Sequence, residues 1–217
     1  MRGMKELQSK ADFDFARAGL GKSISEYRDK ETIYSQGRSA NSLFHIEEGG
    51  VMLTIQSKRR RPAIITILGP GDIFGELCLA GLPSRMCTAT AMGPSSILTI
   101  QKKKMLRNLR RDKRTSNFLV SKLLSTVELY QNQIVEQLVD TSEQRLARVL
   151  VRLADMGKRS QRKTEIPPIS QEVLAEMVGT TRSRINVFMK RFRRRGFISH
   201  NGAFEVRKSL RTFIRNG

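Results

Sequence analysis

An uninterrupted apolar repeat in the second half of the chain is the feature that most constrains its fold. Six side chains recur at alternating steps of four and three residues, with no glycine or proline between them: Val120, Leu124, Val127, Gln131, Ile134 and Leu138. This spacing places them on one face of a long α-helix, in the a and d positions of a heptad repeat. Two interpretations stay open: the seam packs on a domain of its own chain, or it forms a two-stranded coiled coil in a homodimer. Its polar member, Gln131, would fix the register of a coiled coil or face a ligand.

Short runs rich in β-branched and aliphatic residues precede this helix. They are VMLTI at 51–55, AIITIL at 63–68 and SILTI at 96–100, and glycines and prolines separate them. Such runs predict a small antiparallel barrel or sandwich. Strands and helices do not alternate, so a parallel α/β sheet is not expected. The basic stretch SKRRRP at 57–62 is predicted to be a hairpin tip.

The charge of the chain points to a polyanionic partner. The 217 residues include 40 Lys and Arg and 20 Asp and Glu, a formal net charge of +20. Residues 140–217 include 18 of the Lys and Arg residues but only 7 of the Asp and Glu residues, so the positive charge is densest in the C-terminal third. Nucleic acid and an anionic membrane surface are the candidate partners.

The chain carries no signal for a membrane or an oxidising compartment. No apolar run reaches the roughly 18–20 residues that span a bilayer, and the N-terminus lacks the apolar core of a signal peptide. The two cysteines, Cys78 and Cys87, form neither a disulfide framework nor a metal-binding cluster. We therefore expect a cytoplasmic protein with no membrane partner and no metal.

The C-terminal third predicts a helix–turn–helix followed by a small hairpin. The segment 140–157 is predicted to form a helix with Thr141 or Ser142 as its N-cap, and a polar loop follows at 157–168. Ser170 then caps a short helix, Gly179 permits a turn, and Thr180 or Thr181 caps a second helix. Two strands at 197–208 surround a turn at Asn201 and Gly202.

The second helix of this unit carries the residues expected to bind DNA. Arg182 suits guanine and Asn186 suits adenine in the major groove. The remaining Lys and Arg side chains suit DNA phosphates. The predicted set is Thr180, Thr181, Arg182, Ser183, Arg184, Asn186, Lys190 and Arg191. In the alternative interpretation, the arginines form only a solvent-exposed helix face without a binding function. That interpretation agrees less well with the caps and the turn.

A glycine-rich segment at 69–91, GPGDIFGELCLAGLPSRMCTATA, is the second candidate site. Its glycines permit close approach of the backbone to a ligand, and a buried Arg85 could neutralise one phosphate. The Glu76 carboxylate could accept a hydrogen bond from a ribose hydroxyl. A plain ion pair between Glu76 and Arg85 is the competing interpretation.

The order of these parts resembles the cyclic-AMP receptor protein/FNR family of bacterial transcription regulators. GDIFGEL and PSRMCTATA resemble its phosphate-binding cassette, and residues 171–198 resemble its DNA-binding motif. The resemblance implies an α+β fold: a β-roll of the cyclic-nucleotide-binding jelly-roll type over 1–114, a dimerisation helix over 115–139 and a winged helix-turn-helix over 140–217. It also implies an effector site built from Gly75, Glu76, Leu77, Cys78, Arg85, Met86, Tyr130 and Gln131.

Departures from the family pattern leave the effector open. Met86 stands where true cyclic-AMP binders usually carry Ser or Thr, and Tyr130 and Gln131 stand where the family has Thr and Ser on the dimer helix. The cavity is therefore expected to take a cyclic nucleotide, another ligand or none. Control through the Cys78 or Cys87 thiol is a further alternative.

The remaining functional classes are weaker. No nucleophile–base pair, metal cluster or P-loop indicates an enzyme. Haem sensing through His45 or His200 is disfavoured, because a single histidine on a strand is usually structural. The prediction is a homodimeric regulator that binds double-stranded DNA and acts with RNA polymerase; a non-specific architectural DNA binder is the alternative.

Overall fold

The computed structural model describes residues 15, 19–20, 23–56, 62–159, 169–200 and 204–215. The strands within these ranges are β1 (Ile24–Tyr27), β2 (Thr32–Tyr34), β3 (Ser42–Glu48), β4 (Val51–Ile55), β5 (Ala63–Leu68), β6 (Ile73–Phe74), β7 (Thr88–Ala91), β8 (Ser95–Gln101), β9 (Ile198–His200) and β10 (Phe204–Val206). The helices are α1 (Lys102–Arg111), α2 (Lys113–Val139), α3 (Ser142–Arg159), α4 (Gln171–Val178), α5 (Arg182–Arg194) and α6 (Lys208–Arg215), and a short 3-10 helix covers Glu76–Ala80. The predicted α+β architecture is confirmed.

Two four-stranded antiparallel sheets form the N-terminal β-roll. Their strand orders are β1-β8-β3-β6 and β2-β7-β4-β5. Strands β4 and β5 have the predicted bounds and pair from Val51 with Leu68 to Ile55 with Ala63. This pairing agrees with the predicted hairpin, whose tip at 57–61 lies outside the described residues.

Strand β3 is buried on both faces, which explains its nearly continuous apolar sequence. Phe44 and Ile46 lie in the core between the two sheets. Leu43 faces the other way and packs in the core that the first sheet shares with the helices. The β-roll is therefore held from outside by helices as well as from within.

Helix α1 was not anticipated by the sequence patterns. It inserts Met105, which is completely buried, into the core beneath the first sheet. Its first turn consists of Lys102, Lys103 and Lys104, and no acidic residue accompanies them. Cations at a helix N-terminus oppose the helix dipole, so the usual start signal is missing.

Helix α2 begins at Lys113, slightly before the predicted Thr115, because Asp112 caps it. The Asp112 carboxylate accepts hydrogen bonds from the backbone N–H groups of Arg114 at 3.0 Å and Thr115 at 3.1 Å. Its first turns pack on the β-roll through the buried Leu119. The first part of α2 is thus fixed to its own domain.

The apolar seam of α2 is left uncovered by the described residues of its own chain. Its apolar members are between 51% and 80% exposed: Val120, Leu124, Val127, Ile134 and Leu138. Gln131 on the same seam is exposed as well. The interpretation in which this seam packs on its own β-roll is therefore wrong; α2 uses a different face for that contact.

The C-terminal domain is the predicted winged helix-turn-helix. Its core joins α3, α4, α5 and α6, and its largest fully buried side chains include Phe192, Leu146 and Leu150. Strands β9 and β10 pair as the predicted wing, whose turn at 201–203 lies outside the described residues. The predicted polar loop also falls outside them, from residue 160 to 168, and α6 is an addition that the sequence patterns did not indicate.

A capping box starts α3 at the predicted position. The Oγ1 atom of Thr141 accepts a hydrogen bond from the Gln144 backbone N–H at 3.3 Å. In return, the Gln144 side-chain oxygen accepts from the Thr141 backbone N–H at 2.8 Å. Two otherwise unpaired N–H groups are satisfied in this way. The chain therefore passes from α2 to α3 through a well-defined junction at Val139–Ser142, which we call the elbow.

Three arginines of α3 hold that elbow. Arg145 donates to the backbone oxygens of Asp140 at 2.8 Å and Val178 at 2.9 Å. Arg148 pairs with the Asp140 carboxylate at 2.5 Å, and Arg152 donates to both oxygens of Glu136. The end of α2, the start of α3 and the end of α4 are thereby fixed together.

The two domains also touch away from the elbow. Ile67 of β5 packs against the core of the C-terminal domain. A Cβ atom at Gly69 would lie only 2.9 Å from Cγ of Met156 on α3. Gln133 of α2 donates to the hydroxyl of Thr66 at 3.2 Å. No helix within the described ranges combines the length and apolar character that crossing a bilayer requires.

We expect Arg145→Gln to lower the free energy of unfolding by about 1.5–3 kcal/mol, because it removes hydrogen bonds from a cation to backbone oxygens. Urea denaturation followed by circular dichroism measures the change. Arg193→Gln is the matched control, since Arg193 is exposed and its guanidinium has no recorded hydrogen bond within the described residues. Equal stability of the two variants would contradict a structural role for Arg145.

Candidate effector cavity and DNA-binding surface

A cavity of about 140 Å³ lies between the β-roll and α2. Its wall includes every predicted effector residue except Gln131: Gly75, Glu76, Leu77, Cys78, Arg85, Met86 and Tyr130. It is completed by Tyr34, Ala40, Leu53, Ile55, Ile65, Ser84 and Cys87. Gln131 is exposed on the seam of α2 instead, one residue beyond Tyr130.

Arg85 is the central side chain of this cavity and is only 6% exposed. Its Nη2 donates to the Ser42 hydroxyl at 3.0 Å, and its Nη1 donates to the Gly75 carbonyl at 3.3 Å. Its guanidinium carbon lies 4.3 Å from the centre of the Tyr34 ring and 5.2 Å from that of Phe44. Hydrogen bonds and cation–π contacts together fix the plane of the guanidinium.

Gly75 is required where Arg85 approaches the backbone. Its φ of 73° is a left-handed conformation that favours glycine. A Cβ atom there would lie 2.7 Å from Nη1 of Arg85. The glycine of the predicted cassette therefore makes room for the arginine.

The Nε–H group of Arg85 is buried and has no hydrogen-bond acceptor within the described residues. Leaving a buried donor unpaired costs about 1–3 kcal/mol, and more when the group is charged. This nitrogen has almost no accessible surface, so it does not face the cavity, and its unused donor is a local cost of the Arg85 conformation. The indication of a ligand in the β-roll is the guanidinium as a whole, a buried cation in the wall of the cavity.

Glu76 does not neutralise Arg85 by direct contact. Both residues are described, and no ion pair within 4.0 Å joins them, so the simple ion-pair interpretation is wrong. Burial raises the pKa of the Glu76 carboxyl, whereas its own backbone N–H and the Arg85 charge act in the opposite direction. The carboxyl thus lies in the cavity wall with a bias toward its neutral form.

The other side chains of the wall are mostly apolar or weakly polar. Burial raises the pKa of Tyr130 to about 12, with further increases from Glu76 and Cys87, so this phenol stays neutral. Met86 is about half exposed at the edge of the cavity. Neither residue supplies the aliphatic hydroxyl that the family pattern has at its position.

Both cysteines lie in the cavity wall, but their surroundings oppose reactivity. Burial raises the pKa of the Cys78 thiol and of the Cys87 thiol, and the nearby Arg85 only partly offsets this. For Cys87, the contact of its sulfur with the Tyr34 hydroxyl at 3.7 Å also lowers the pKa, but burial remains the larger effect. Since the thiolate is the reactive form, this environment argues against redox sensing.

His45 has a structural environment. It is buried on β3, its Nδ1 lies 2.8 Å from a Glu47 oxygen, and the centre of its ring lies 4.4 Å from that of Phe15, with the two rings tilted by 45°. Burial lowers its pKa, and Glu47 partly compensates. The described residues contain no group of three or more His, Cys, Asp or Glu placed to hold a metal ion.

The helix–turn–helix is built by the predicted caps. The Ser170 hydroxyl accepts a hydrogen bond from the Val173 N–H at 3.2 Å, and the Thr181 hydroxyl accepts one from the Arg184 N–H at 3.3 Å. Gly179 takes the left-handed conformation, with φ of 69°, that ends α4. Local sequence therefore determines the angle at which α5 leaves the turn.

The exposed face of α5 carries the predicted DNA-binding residues. Ile185, Met189 and Phe192 are buried in the domain core. The exposed side chains on the other face are Thr181, Arg182, Ser183, Arg184, Asn186, Lys190 and Arg191, whereas Thr180 is half-buried. The predicted set is thus brought together at the start and along one side of α5.

Two of its arginines have partners within the chain. Arg182, whose side chain is 69% exposed, lies 2.9 Å from a Glu172 oxygen. Arg191 lies 2.6 Å from a Glu143 oxygen, and the second oxygen of that carboxylate is buried with no hydrogen-bond partner in the described part of the chain. The partner of Arg182 is therefore exposed, whereas Arg191 stabilises a shielded carboxylate of α3.

Sequence patterns missed the residues that position Arg85. Ser42 and Tyr34 lie on strands far from the cassette in sequence, and neither belongs to a recognisable motif. Only the pairing of β3 with β6 and of β2 with β7 brings these strands to the cavity. An aromatic residue at the end of a short strand was the sole available signal, and it is too common to be specific.

Comparison with known proteins assigns both halves of the chain. Residues 24–112 match the cyclic nucleotide-binding domain, and residues 144–209 match the Crp-like helix-turn-helix domain. The chain belongs to the cyclic-AMP receptor protein/FNR family of transcription regulators. These two domains are those of transcription regulators rather than enzymes.

Individual relatives agree with this assignment. The CRP-like cAMP-activated global transcriptional regulator of Mycobacterium tuberculosis is 24% identical over 79% of this chain and 77% of that protein. The transcriptional regulator LdrP of Thermus thermophilus is 28% identical over 81% of this chain and 87% of that protein. The structure of FixK2 from Bradyrhizobium japonicum shares the fold, with a TM-score of 0.75, 19% identity, and coverage of 89% and 96%.

The family's domain implies a cyclic nucleotide, which the cavity residues fit only in part. The Arg85 guanidinium suits a phosphate, and Glu76 can accept from a ribose hydroxyl. Met86 offers no donor beside the phosphate, whereas Tyr34, Ser84 and Tyr130 bring hydroxyl groups to the wall. Arg85 and Glu76 are the residues that would hold such a ligand.

We expect the cysteines of the native protein to react with iodoacetamide at neutral pH at least about tenfold more slowly than those of the urea-unfolded chain, because a raised pKa reduces the thiolate fraction. Mass spectrometry over a time course gives the rate, and Cys87→Ser assigns it to one thiol. Labelling of the native protein as fast as that of the unfolded chain would show an accessible, ionised thiol and restore the redox hypothesis.

Proposed function

We propose that the protein is a homodimeric, sequence-specific transcription regulator that binds a pseudo-palindromic DNA operator and responds to a small anion in its β-roll. The first turn of α5 carries this proposal. Arg182, Ser183 and Asn186 are exposed there, immediately after a capped start, with the opposite face of the helix buried. This is the geometry in which a helix enters the major groove and presents its N-terminal residues to base edges.

The exposed seam of α2 supports the homodimer. A stripe of apolar side chains over half exposed is costly in water and marks an association surface. Its heptad spacing suits the same stripe on a second copy, so the two helices would pack as a two-stranded coiled coil. The two copies of α5 in the dimer would then bind two half-sites about 34 Å apart, which is one turn of the DNA helix.

Helix α2 also connects the cavity to the DNA-binding domain. Tyr130 contributes to the cavity wall, and Gln133, one turn further on, is bonded to Thr66 of the β-roll. The helix ends at the elbow held by Arg145. A ligand that binds one arrangement of α2 better than another would shift the population of DNA-competent dimers. RNA polymerase, in the cytoplasm, is the proposed protein partner of such a regulator.

Arg182→Ala should weaken operator binding by about 1–3 kcal/mol and relax the preference at one position of each half-site, because a bidentate contact to a base is lost. Selection from random duplexes defines the operator, and fluorescence anisotropy measures the affinities. Lys190→Ala should instead weaken binding to all sequences and reduce the salt slope by about one.

Glu172→Gln separates the ion pair of Arg182 with Glu172 from the proposed contact of Arg182 with a base. It removes the ion-pair partner but leaves the guanidinium in place, so base preference should persist. An exposed pair of this kind contributes little to stability. Equal losses on operator and random DNA for Arg182→Ala would favour the non-specific architectural binder.

Leu124→Glu should convert the dimer into monomers, since it places a charge in the centre of the apolar seam. Sedimentation velocity at micromolar concentrations measures the change. Ser121→Glu adds the same charge at an exposed position outside the seam and should leave the dimer intact. A dimeric Leu124→Glu protein would show that another surface mediates association.

A further inference from the structure

We propose that the basic face of α1 is a second, sequence-independent DNA-binding surface, with which a dimer bound to its operator holds another duplex. The face consists of six exposed side chains on α1 and the first turn of α2: Lys103, Arg107, Arg110, Arg111, Lys113 and Arg114. The inference rests on the proposed function only in using the operator to occupy α5. It follows from the charge of this face and from its position at the end of the β-roll away from the helix–turn–helix.

The packing of α1 directs these cations to solvent. Met105 is completely buried, and Leu109 packs against the same core beneath the first sheet. Lys103, Arg107 and Arg110 follow one another at steps of four and three residues, so they form a stripe on the opposite side of the helix. The apolar side of α1 is therefore used in folding, and the basic side is available to a partner.

The charge of the basic face is not neutralised within the described part of the chain. None of its six cations forms an ion pair with a described residue. Asp112 is the only acidic residue between positions 103 and 114. Its carboxylate already accepts hydrogen bonds from Arg114 and Thr115 as the cap of α2. The face therefore presents six positive charges without a counter-charge.

This arrangement destabilises α1 itself. Lys103 and Arg107 are like charges four residues apart, as are Arg107 and Arg111, and such pairs destabilise a helix. The lysines of the first turn also oppose the helix dipole. Departures from the ordinary rules of helix formation are expected where function requires them. The uncompensated repulsion is thus an indication of a polyanionic partner.

The basic face and the DNA-binding domain lie at opposite ends of the β-roll. Strand β8 begins at Ser95, whose hydroxyl bonds with Gly50, and a Cβ atom at Gly50 would lie 3.6 Å from Met156 of α3. Helix α1 starts at the other end of this strand, directly after Gln101. The 27 residues of α2 then span about 40 Å to the elbow.

This separation assigns the basic face to a second duplex. Double-stranded DNA is stiff over about 150 base pairs, so an operator bound along α5 does not turn back sharply over the length of α2. In the proposed coiled coil, with its helices parallel, the α1 helices of both protomers lie at the same end of the dimer. Their basic faces then form one surface that is free when the operator is bound.

The composition of the face favours nucleic acid over a protein or a membrane. No large apolar side chain is exposed between positions 102 and 114. Protein interfaces have a core rich in aromatic residues and poor in lysine. A helix that binds a membrane surface inserts its apolar side, which α1 has already buried. Exposed Lys and Arg side chains alone suit DNA phosphates, which carry no sequence information.

Capture of a second duplex tests the inference. The full-length dimer is saturated with an immobilised operator duplex, so that α5 is occupied, and is then titrated with a fluorescent duplex of random sequence. The wild-type protein should capture this duplex at about 50 mM salt, and its affinity should fall steeply toward about 200 mM. Surface plasmon resonance of the operator and fluorescence of the second duplex give the ratio of the two.

A double variant locates the surface. Lys103→Gln combined with Arg107→Gln should reduce the salt slope of capture by about 1.8 for each protomer in contact, since about 0.9 is lost with each phosphate contact. Operator affinity should not change, because α5 is intact. Removal of like charges should leave the melting temperature unchanged or higher, which distinguishes lost capture from lost folding.

Arg28→Gln combined with Lys30→Gln is the matched control. It also removes one exposed Lys and one exposed Arg from the β-roll, but these follow Tyr27, which pairs with Ser95 at the other end of β8. Capture of the random duplex should not change. Equal losses in the two double variants would attribute capture to the overall charge of the protein and overturn the inference.

Three further results would overturn it. They are no capture at about 50 mM salt, unchanged capture by the α1 variant, and competition by poly-glutamate that exceeds competition by unlabelled random duplex, which would assign the face to an acidic protein. Operator binding and dimerisation are measured on the same preparations. If they persist while capture fails, the second surface is wrong and the proposed regulator function stands.

Discussion

The junction between the β-roll and the DNA-binding domain is built around one guanidinium, that of Arg145. The last carbonyl oxygens of a helix have no partners within the helix and carry its negative dipole end. Arg145 donates to such oxygens at the ends of two helices, Asp140 after α2 and Val178 in α4. A single cation thus compensates two helix ends and fixes the angle between them. Because it lies in the first turns of α3, Arg145 joins the end of α2 to the start of the helix–turn–helix.

This junction turns α2 into a mechanical link between the cavity and the DNA-binding surface. Tyr130 in the cavity wall and the end of α2 at Val139 are about 14 Å apart along the helix, from the rise of 1.5 Å per residue. Between them, Gln133 bonds to Thr66, and Ile67 on the same strand packs against the C-terminal core. The β-roll is therefore connected to the C-terminal domain in two places, through α2 and through β5. Coupling of this kind requires two arrangements of the elbow, and a ligand must distinguish them energetically.

Features encoded by neighbouring residues could be predicted from the sequence. The caps at Thr141, Ser170 and Thr181 and the glycine turn at Gly179 need only a few adjacent residues, and all appear at the expected positions. The cavity was predictable only where a motif carries it: the resemblance indicated Glu76 and Arg85, but not Ser42 or Tyr34, which strand pairing brings in from elsewhere. Helix α1 was missed for a physical reason, since its lysine-rich start opposes its own dipole and the buried Met105 provides the stabilisation instead.

The ion pairs of the C-terminal domain separate structural arginines from those available to DNA. At the elbow, the carboxylates of Asp140 and Glu136 are only 10% and 14% exposed, so their arginine partners could not leave without stranding a shielded charge. At the start of α5, Glu172 is 53% exposed, and water can replace Arg182 at little cost. Exchange of Arg182 from Glu172 to a base is therefore energetically accessible, whereas the elbow arginines remain in place. The same residue type thus sets the geometry in one part of the domain and, in the function proposed above, supplies recognition in another, and burial of the acidic partner separates the two.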